Sequence, residues 1–261
     1  MANGDDRREV LLAAVLEQGY CTTSELAQLL DVSEMTVRRD VARLEQSGQL
    51  RSVHGGVTTS LDSDMHGTRF DVRAHAHTDI KRAIARRALE FLPDNGIIAI
   101  DAGTTTAELT AQLPDERIST IVTYSLPVLN AASRLENIDL MNLGGAFHRE
   151  SQSYAGPSTI RAIENLSIGT LFLGTSGVSE RGLFCGNDFD AVTKRALIDV
   201  SETVILLADS TKFRTTAVAR VCGLDRIDHL VVDADLDETD ATMLRRHGVA
   251  ITRTDAPVPS N

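Results

Sequence analysis

The sequence predicts an α/β protein in which a small, mainly helical N-terminal module precedes a larger domain built on a mostly parallel sheet. Three helical segments and a hairpin occupy residues 1–57, and from residue 96 onward short β-branched runs alternate with helical stretches. Such alternation is typical of a parallel sheet with helices on both faces. The length of 261 residues suits one small domain joined to a larger one.

Composition and charge exclude several classes of protein. With 42% hydrophobic and 24% charged residues, the chain is too apolar to be disordered. The net charge of −11 excludes a generally basic surface, although it says nothing about a local patch. Three scattered cysteines predict no disulfide framework, and we expect no metal and no cofactor. The polar N-terminus and the lack of a long apolar run predict a cytoplasmic protein without a membrane span.

Helical periodicity and capping signals define the first two helices. Apolar residues recur at helical spacing from Leu11 to Leu16, and we expect Gly19 to end this helix. Residues 22–25, Thr-Thr-Ser-Glu, form the pattern of a capping box that opens a short second helix. The predicted buried side of this helix consists of Leu26, Ala27, Leu29 and Leu30.

A third helix and a hairpin complete the predicted N-terminal module. Ser33 is a natural N-cap for a helix that runs to about Gly48. Residues 49–57 alternate as a β-ribbon with a turn at Gly55 and Gly56. This places the boundary of the first domain at residue 57.

A linker leads into the larger domain, which spans residues 79–261. Residues 58–78 hold few large apolar groups, and their His and Asp residues fit no metal-site template, so we interpret them as the linker. A helix is predicted over residues 79–92. Seven strands are predicted after it, over residues 96–101, 118–123, 138–143, 168–173, 203–208, 230–233 and 249–252. Five helices are predicted between them, over residues 104–113, 126–135, 157–165, 188–200 and 237–246.

The third helix carries side chains suited to reading DNA. Val37, Val41 and Leu44 share one face, which turns the arginines of this helix toward solvent. In a major groove, Arg can make paired hydrogen bonds to guanine, and Thr or Arg can hold phosphates. Two helices joined by a short turn match the helix-turn-helix layout, with the hairpin as a wing. The predicted DNA-binding residues are Ser33, Met35, Thr36, Arg38, Arg39, Arg43, Arg51 and His54.

The pattern of the N-terminal module alone also fits a protein–protein adapter. Residues 33–57 carry four arginines and three acidic residues, a formal charge of only +1. A monomer would neutralise few phosphates and bind DNA weakly. If the module binds DNA, we therefore expect a homo-oligomer, either a dimer or a tetramer.

The loops after the predicted strands carry groups suited to an anion. Residues 101–106, Asp-Ala-Gly-Thr-Thr-Thr, join a strand to a helix, and free N–H groups at such a turn attract phosphate. Asp101 stands where α/β sheets bind ligand hydroxyls. The alternative is a plain helix capped by Thr104, and taken alone Lys194 and Lys212 are most simply solvated surface residues. The sequence contains neither a Walker A loop nor a GxGxxG fingerprint.

Residues 24–57, SELAQLLDVSEMTVRRDVARLEQSGQLRSVHGGV, resemble the winged helix-turn-helix domain of the DeoR family of bacterial transcriptional regulators. The resemblance rests on Val32-Ser33, Thr36-Val37-Arg38-Arg39-Asp40, Leu44, Gly48 and His54-Gly55-Gly56. It implies that Arg38, Arg39 and their neighbours contact double-stranded operator DNA and that the wing around His54 assists.

The C-terminal part of the chain, to about Asp233, resembles the sensor domain of the same family. The segments that carry this resemblance are, in order, DAGTTTAEL, Leu143-Gly144-Gly145, FLGTSGV, the segment around Lys194, and ADSTKF. This domain is similar to ribose-phosphate isomerases, and the resemblance implies a phosphorylated sugar or related metabolite as effector. The implied effector-binding residues are Asp101, Gly103, Thr104, Thr105, Thr106, Tyr124, Gly144, Gly145, Thr175, Lys194, Asp209 and Lys212. The chain has Thr123-Tyr124 where the family commonly has Thr-Asn, so effector specificity does not transfer.

The leading hypothesis is a repressor of carbohydrate-metabolism genes that responds to this effector. The alternative is a sugar-phosphate isomerase-like enzyme with an appended DNA-binding domain. Isomerisation needs a general base near the substrate carbon, and Asp101 or Asp209 would supply it.

Overall fold

The computed structural model describes residues 4–18, 20–47, 49–53, 56–59, 70–114, 118–215 and 217–255. The chain folds as two compact units, which divide between His77 and Thr78. Within the described residues, no helix combines the length and apolar character needed to span a bilayer.

The N-terminal unit packs short helices around a small antiparallel sheet in the order β1-β3-β2. Its described helices are α1 (Gly4–Gln18), α2 (Thr23–Leu29), α3 (Glu34–Gln46) and α4 (Phe70–His75). Its described strands are β1 (Tyr20–Thr22), β2 (Leu50–Val53) and β3 (Gly56–Thr59). Apolar side chains from the first three helices and the sheet form its core, including Leu11, Val15, Leu26, Val37, Val41 and Val57.

The capping signals of the N-terminal unit are confirmed. The Thr22 hydroxyl accepts the Glu25 N–H at 3.1 Å, and the Glu25 carboxylate accepts the Thr22 N–H at 2.7 Å, which together make a capping box. Ser33 caps α3 by accepting the Thr36 N–H at 3.3 Å. Gly19 and Gly48, the predicted helix ends, lie outside the described residues, and α1 and α3 extend to Gln18 and Gln46.

The prediction that Leu29 is buried is wrong, because its side chain is 57% exposed. Leu26 is buried, and Ala27 and Leu30 are half-buried. With a rotation of about 100° per residue, Leu29 points roughly a quarter turn away from the direction that these three residues share. One face of a seven-residue helix is too narrow to include it.

The hairpin is confirmed, and two further elements were not expected. Strands β2 and β3 pair from Leu50↔Thr59 to Val53↔Gly56, and β1 adds a third strand to β3. The segment interpreted as a linker, 58–78, contains the end of β3 and the helix α4. Residues 60–69 lie outside the described residues.

The C-terminal unit begins with helix α5 (Thr78–Ala88), which continues as a 3₁₀ turn at Leu89–Phe91. It then builds a seven-stranded, fully parallel sheet in the order β15-β14-β12-β9-β4-β5-β6. These strands are β4 (Gly96–Ile100), β5 (Ile118–Thr123), β6 (Asp139–Asn142), β9 (Ile168–Gly174), β12 (Ser201–Leu207), β14 (His229–Val232) and β15 (Ala250–Arg253). All seven predicted strands are confirmed within a few residues.

Helices cover both faces of the sheet, as the alternation predicts. Alternate residues of β4 enter different apolar clusters, with Ala99 in one and Ile98 and Ile100 in the other, because successive side chains of a strand point to opposite faces. The helices between the strands are α6 (Thr104–Thr110), α7 (Leu126–Ala132), α8 (Pro157–Ile163), α9 (Asp188–Asp199) and α10 (Glu238–Arg246).

The structure adds five short antiparallel strands that the sequence reading missed. Strands β7 (Ala146–His148) and β8 (Ser153–Ala155) form a hairpin, and β10 (Gly177–Ser179), β11 (Gly182–Cys185) and β13 (Ala219–Cys222) form a second sheet. Each has only three or four residues, which is too short for alternation to separate a strand from a loop.

Candidate functional site

Helix α3 presents the arginines that the sequence predicts for DNA reading. Val37, Val41 and Leu44 are buried, whereas Arg38, Arg39 and Arg43 are exposed and Met35 is 67% exposed. Arg38 Nη2 lies 3.7 Å from the Glu34 carboxylate in an exposed pair. Such a pair is worth at most about 1 kcal/mol and leaves the guanidinium available to a stronger acceptor.

The hydroxyls at the start of α3 have a structural role. Ser33 Oγ accepts the Thr36 N–H and lies 3.0 Å from Thr36 Oγ1. This contact fixes the first turn of α3 while leaving Ser33 exposed. Arg51 belongs to β2, but its side chain is not among those described, and His54 lies outside the described residues.

An ion pair between a buried carboxylate and two half-buried arginines holds α3 against α1. The Asp40 carboxylate is buried, with Arg7 Nε 2.6 Å from Oδ2 and Arg8 Nη1 3.5 Å from Oδ1. Sequence reasoning missed this contact, although a signal was present. Asp40 stands three residues after Val37 and one before Val41, so helical periodicity places a carboxylate in the buried seam.

The second candidate site lies at the carboxyl edge of the parallel sheet. Asp101 follows β4, Tyr124 follows β5, Gly174 ends β9 and Asp209 lies two residues beyond β12. Because β12, β9, β4 and β5 are neighbours in the sheet, these loops meet at one edge. Four loops that carry polar groups therefore lie side by side at this edge.

Asp101 is the centre of a buried polar cluster, which we call the Asp101 cluster and which also contains Tyr124, Gly174, Asp190 and Lys194. Asp101 Oδ2 accepts the Gly174 N–H at 2.8 Å and a hydrogen bond from Lys194 Nζ, and Oδ1 accepts the Tyr124 hydroxyl. Lys194 also donates to the Gly174 carbonyl at 3.1 Å. The Tyr124 hydroxyl lies 3.0 Å from Asp190 Oδ1, and Lys194 Nζ lies 4.0 Å from Asp190 Oδ2.

Burial and the neighbouring carboxylates shift the pKa values of Lys194 and Tyr124 in the Asp101 cluster. Burial lowers the pKa of Lys194, but Asp101 and Asp190 more than offset burial, so this pKa is raised and the side chain is an ammonium ion. Burial and the same two carboxylates raise the pKa of Tyr124 well above its ordinary value, so the phenol is a neutral donor. Burial also raises the pKa of the nearby Cys185 thiol to about 12, which makes it unreactive.

The interpretation of the lysines as solvated surface residues is wrong. Lys194 is 2% exposed and Lys212 is 7% exposed. Each lies against a buried carboxylate, Lys194 against Asp101 and Lys212 Nζ at 3.5 Å from Asp209 Oδ2. A buried ammonium ion is tolerated only beside such a partner, and this pairing explains why both lysines are inside.

The turn before α6 is half-buried and begins without a capping side chain. Gly103 and Thr104 are half-buried. Gly103 is the N-cap of α6 and offers no side chain to its first N–H groups. The N-caps of α2, α3, α7, α9 and α10 do accept such a hydrogen bond with their side chains. Helix α8 also begins on a glycine without a side-chain cap. The expected cap at Thr104 is therefore corrected to Gly103, whose turn leaves the first N–H groups of α6 without a capping side chain.

Three threonines at this edge differ from the expectation that their hydroxyls face a ligand. Thr106 is fully buried, with Oγ1 2.7 Å from the Asp101 carbonyl and 2.9 Å from that of Gly103. Thr175 Oγ1 lies 2.9 Å from the carbonyls of Gly177 and Phe184. Thr105 is buried as well, so Thr104 is the most accessible threonine of the 104–106 run.

The other predicted effector residues lie in neighbouring loops. Gly144 and Gly145 have positive φ angles of 62° and 120°, and a Cβ on Gly145 would lie 2.2 Å from Thr159 Oγ1. These glycines therefore permit a turn that other residues could not adopt without strain. Asp209 caps the 3₁₀ turn Ser210–Arg214 by accepting the Thr211 N–H at 3.1 Å.

Comparison with known proteins assigns both units to one family. Residues 7–62 match the DeoR-like helix-turn-helix domain, and residues 76–234 match the DeoR C terminal sensor domain. The chain is 31% identical to the L-fucose operon activator of Haemophilus influenzae over 93% of this chain and 97% of that protein. It is also 31% identical to the HTH-type transcriptional regulator IolR of Bacillus subtilis, over 91% and 94% of the two chains. A putative aga operon transcriptional repressor of Escherichia coli is 29% identical over 94% and 92%.

Solved structures give weaker matches. A D-ribose-5-phosphate isomerase in complex with phospho-erythronic acid has a TM-score of 0.38 at 21% identity, over 52% of this chain and 54% of that one. Ribose 5-phosphate isomerase A from Neisseria gonorrhoeae has a TM-score of 0.39 at 19% identity, over 52% and 53%. The chain thus spans about half the length of these isomerases, and similarity at this level has no bearing on function.

The two domain matches cover most of the chain, in the expected order. The three relatives align along nearly their whole length, and their names describe regulators of transcription rather than enzymes. This chain belongs to the DeoR family of transcriptional regulators.

Proposed function

We propose that the protein represses carbohydrate-metabolism genes by binding operator DNA as a homo-oligomer, and that a phosphorylated sugar or related metabolite controls this binding. The named relatives include an L-fucose operon activator and a putative aga operon repressor, so sugar operons are the common theme. Repression needs only occupancy of the operator, whereas activation needs a further surface for the transcription machinery. A reporter driven by the protein's own upstream region distinguishes them, because loss of a repressor raises expression.

The DNA-binding part of the proposal rests on the exposed face of α3. Arg38, Arg39 and Arg43 are available to bases and phosphates, with Met35 beside them, and the buried Asp40 holds the helix in place. The formal charge of +1 over residues 33–57 makes the contact of one module weak. Two or four modules on one operator multiply the phosphate contacts, which supports an oligomer acting on DNA in the cytoplasm.

The effector part rests on one observation, the half-buried Gly103–Thr104 turn beside the Asp101 cluster at the carboxyl edge of the sheet. Open α/β sheets bind ligands outside the carboxyl ends of their strands. In our proposal the N–H groups of this turn and the Thr104 hydroxyl hold the phosphate. Gly144, Gly145 and the Asp209–Lys212 pair border the same edge and contribute to the pocket.

The isomerase alternative is not favoured. A general base needs a lone pair directed at the substrate. Asp101 is fully buried and accepts hydrogen bonds on both oxygens, from Tyr124, Gly174 and Lys194. Both oxygens of Asp101 are therefore directed at buried neighbours of the protein and not at a substrate.

A thermal-shift screen with phosphorylated sugars tests the effector assignment. A ligand present at about 100 times its dissociation constant stabilises the folded state by about 2.7 kcal/mol. We expect a shift for the wild-type protein and a much smaller one for the Thr104→Ala, Thr105→Ala variant, which keeps its operator affinity. The variant Ser133→Ala, at an exposed helix end, is the matched control. An undiminished shift in the double threonine variant would reject the assignment.

A further inference from the structure

Tyr124 lies at the carboxyl edge of the sheet, next to Asp101. It directly follows β5, and its side chain is the largest that is fully buried among the described residues. Its ring reaches across from β5 to the loop after β4, where its hydroxyl contacts Asp101, and to α9, where it lies 3.0 Å from Asp190 Oδ1. A phenol therefore occupies the space between the two carboxylates.

The position of Tyr124 determines what Asp101 can bind. Asp101 is 0% exposed, with the Tyr124 hydroxyl on Oδ1 and with the Gly174 N–H and Lys194 on Oδ2. A carboxylate at the end of a parallel strand is well placed to accept the hydroxyl of a sugar. Here a phenolic hydroxyl already donates to it, so a ligand reaches Oδ1 only if the ring is absent.

We propose that Tyr124 is a specificity-determining residue that prevents the hydroxyl-bearing chain of a ligand from binding Asp101. The inference rests on the proposed function, in which the Gly103–Thr104 turn holds the phosphate of the effector. The wild-type protein then favours phosphorylated compounds with a short carbon chain, because a longer chain gains no hydrogen bond to Asp101.

Substitution by asparagine tests this directly. Asparagine ends well short of the position of the phenolic oxygen, so Tyr124→Asn opens space beside Asp101 Oδ1 and Asp190 Oδ1. A long phosphorylated sugar can then donate a hydroxyl to a buried carboxylate, which is a hydrogen bond to a charged group. One such bond raises affinity by at least about tenfold.

The experiment measures the affinity of the full-length protein for glyceraldehyde 3-phosphate, erythrose 4-phosphate, ribose 5-phosphate and fructose 6-phosphate by titration calorimetry. For each variant we compare the affinity for the longest sugar with the affinity for the shortest, as a ratio. A loss of stability in a variant lowers both affinities alike and therefore does not change this ratio. Tyr124→Ser has the same expected effect as Tyr124→Asn, and either variant is sufficient if the other does not fold. Tyr154→Asn is the matched control, since Tyr154 packs against Phe147 in the β7–β8 hairpin.

The inference predicts that the ratio rises at least about tenfold in Tyr124→Asn and stays at the wild-type value in Tyr154→Asn. An unchanged ratio in the Tyr124 variants, with binding intact, overturns the inference and leaves the proposed function standing. Failure of every sugar phosphate to bind the wild-type protein and its variants overturns the proposed function and the inference with it.

Discussion

The two candidate sites each contain a buried aspartate, but they present their chemistry in opposite ways. In the N-terminal unit, Asp40 is buried against Arg7 and Arg8, while the arginines of α3 point into solvent. In the C-terminal unit, Asp101, Lys194 and Tyr124 are themselves buried and contact one another.

The difference corresponds to what each site has to bind. A major groove accepts a protruding helix whose side chains reach base edges, so exposed arginines on a rigid helix are sufficient. A small ligand is surrounded by its site, and charged groups there must be held by partners that also offset their burial. In our proposal the Asp101 cluster determines the shape of the edge, and the half-buried Gly103–Thr104 turn is left for the ligand.

The largest expected effect concerns the Asp101 cluster. Lys194→Met leaves Asp101 and Asp190 buried without their cation, and we expect the C-terminal unit to lose about 3–5 kcal/mol of unfolding free energy. Urea unfolding followed by circular dichroism measures it, since the chain has no Trp.

The matched control for Lys194 is Arg226→Met, which removes an exposed pair with Asp199 at 2.9 Å. We expect this change to cost no more than about 1 kcal/mol. Equal losses in the two variants would show that burial of the Asp101 cluster has no energetic consequence.

The second prediction concerns the exposed face of α3. Arg39→Ala removes a base-contacting or phosphate-contacting group, and we expect it to weaken operator binding by about 1–3 kcal/mol per module without lowering stability. Fluorescence anisotropy at a fixed salt concentration measures it. Arg134→Ala, at an exposed arginine of the C-terminal unit, is the control and should leave operator affinity unchanged. A loss of stability equal to the loss of binding would instead indicate that Arg39 has a packing role.

The third prediction compares the stability that α3 gains from its buried aspartate with the stability that it gains from an exposed ion pair. Asp40→Asn removes the charged partner of Arg7 and Arg8, and we expect a loss of about 1.5–3 kcal/mol in the stability of the N-terminal unit. Glu34→Gln disrupts the exposed pair with Arg38 and should cost less than about 1 kcal/mol. Thermal unfolding followed by circular dichroism compares the two variants. If Asp40→Asn leaves the stability unchanged, Asp40 does not hold α3 in place.

The smallest expected effect tests a purely local signal. Thr22→Ala removes the N-cap of α2 and should lower the stability of the N-terminal unit by about 1 kcal/mol. Thr22→Ser keeps the hydroxyl and should retain most of this stability. If the two variants unfold at the same temperature, the capping box contributes nothing measurable.

Local signals explain why much of the fold is predictable from the sequence. Six of the seven parallel strands contain β-branched residues, with β6 the exception, and Thr22 and Ser33 cap helices where their spacing indicates. The face of α3 follows from its apolar period alone. Short antiparallel strands such as β10 and β11 were missed because their three or four residues pair through contacts made elsewhere in the chain.

The interior of the candidate effector site could not be predicted in the same way. The loops after the strands lie along one edge of the sheet, but the pairing of Asp101 with Lys194, 93 residues away, depends on how α9 packs on the sheet. Asp190 was missed because a carboxylate in the first turn of a helix is normally solvated, whereas here it is buried beside Tyr124. Spacing along the chain carries no information about such contacts.

In our proposal, occupancy of the sheet edge controls operator binding. The direct test is the affinity of the full-length protein for its own upstream DNA, measured with and without a phosphorylated sugar that stabilises it in the thermal-shift screen. The account predicts a change in operator affinity of about 5- to 150-fold, which corresponds to a coupling of about 1–3 kcal/mol. A sugar phosphate that binds the protein and leaves operator affinity unchanged would contradict it.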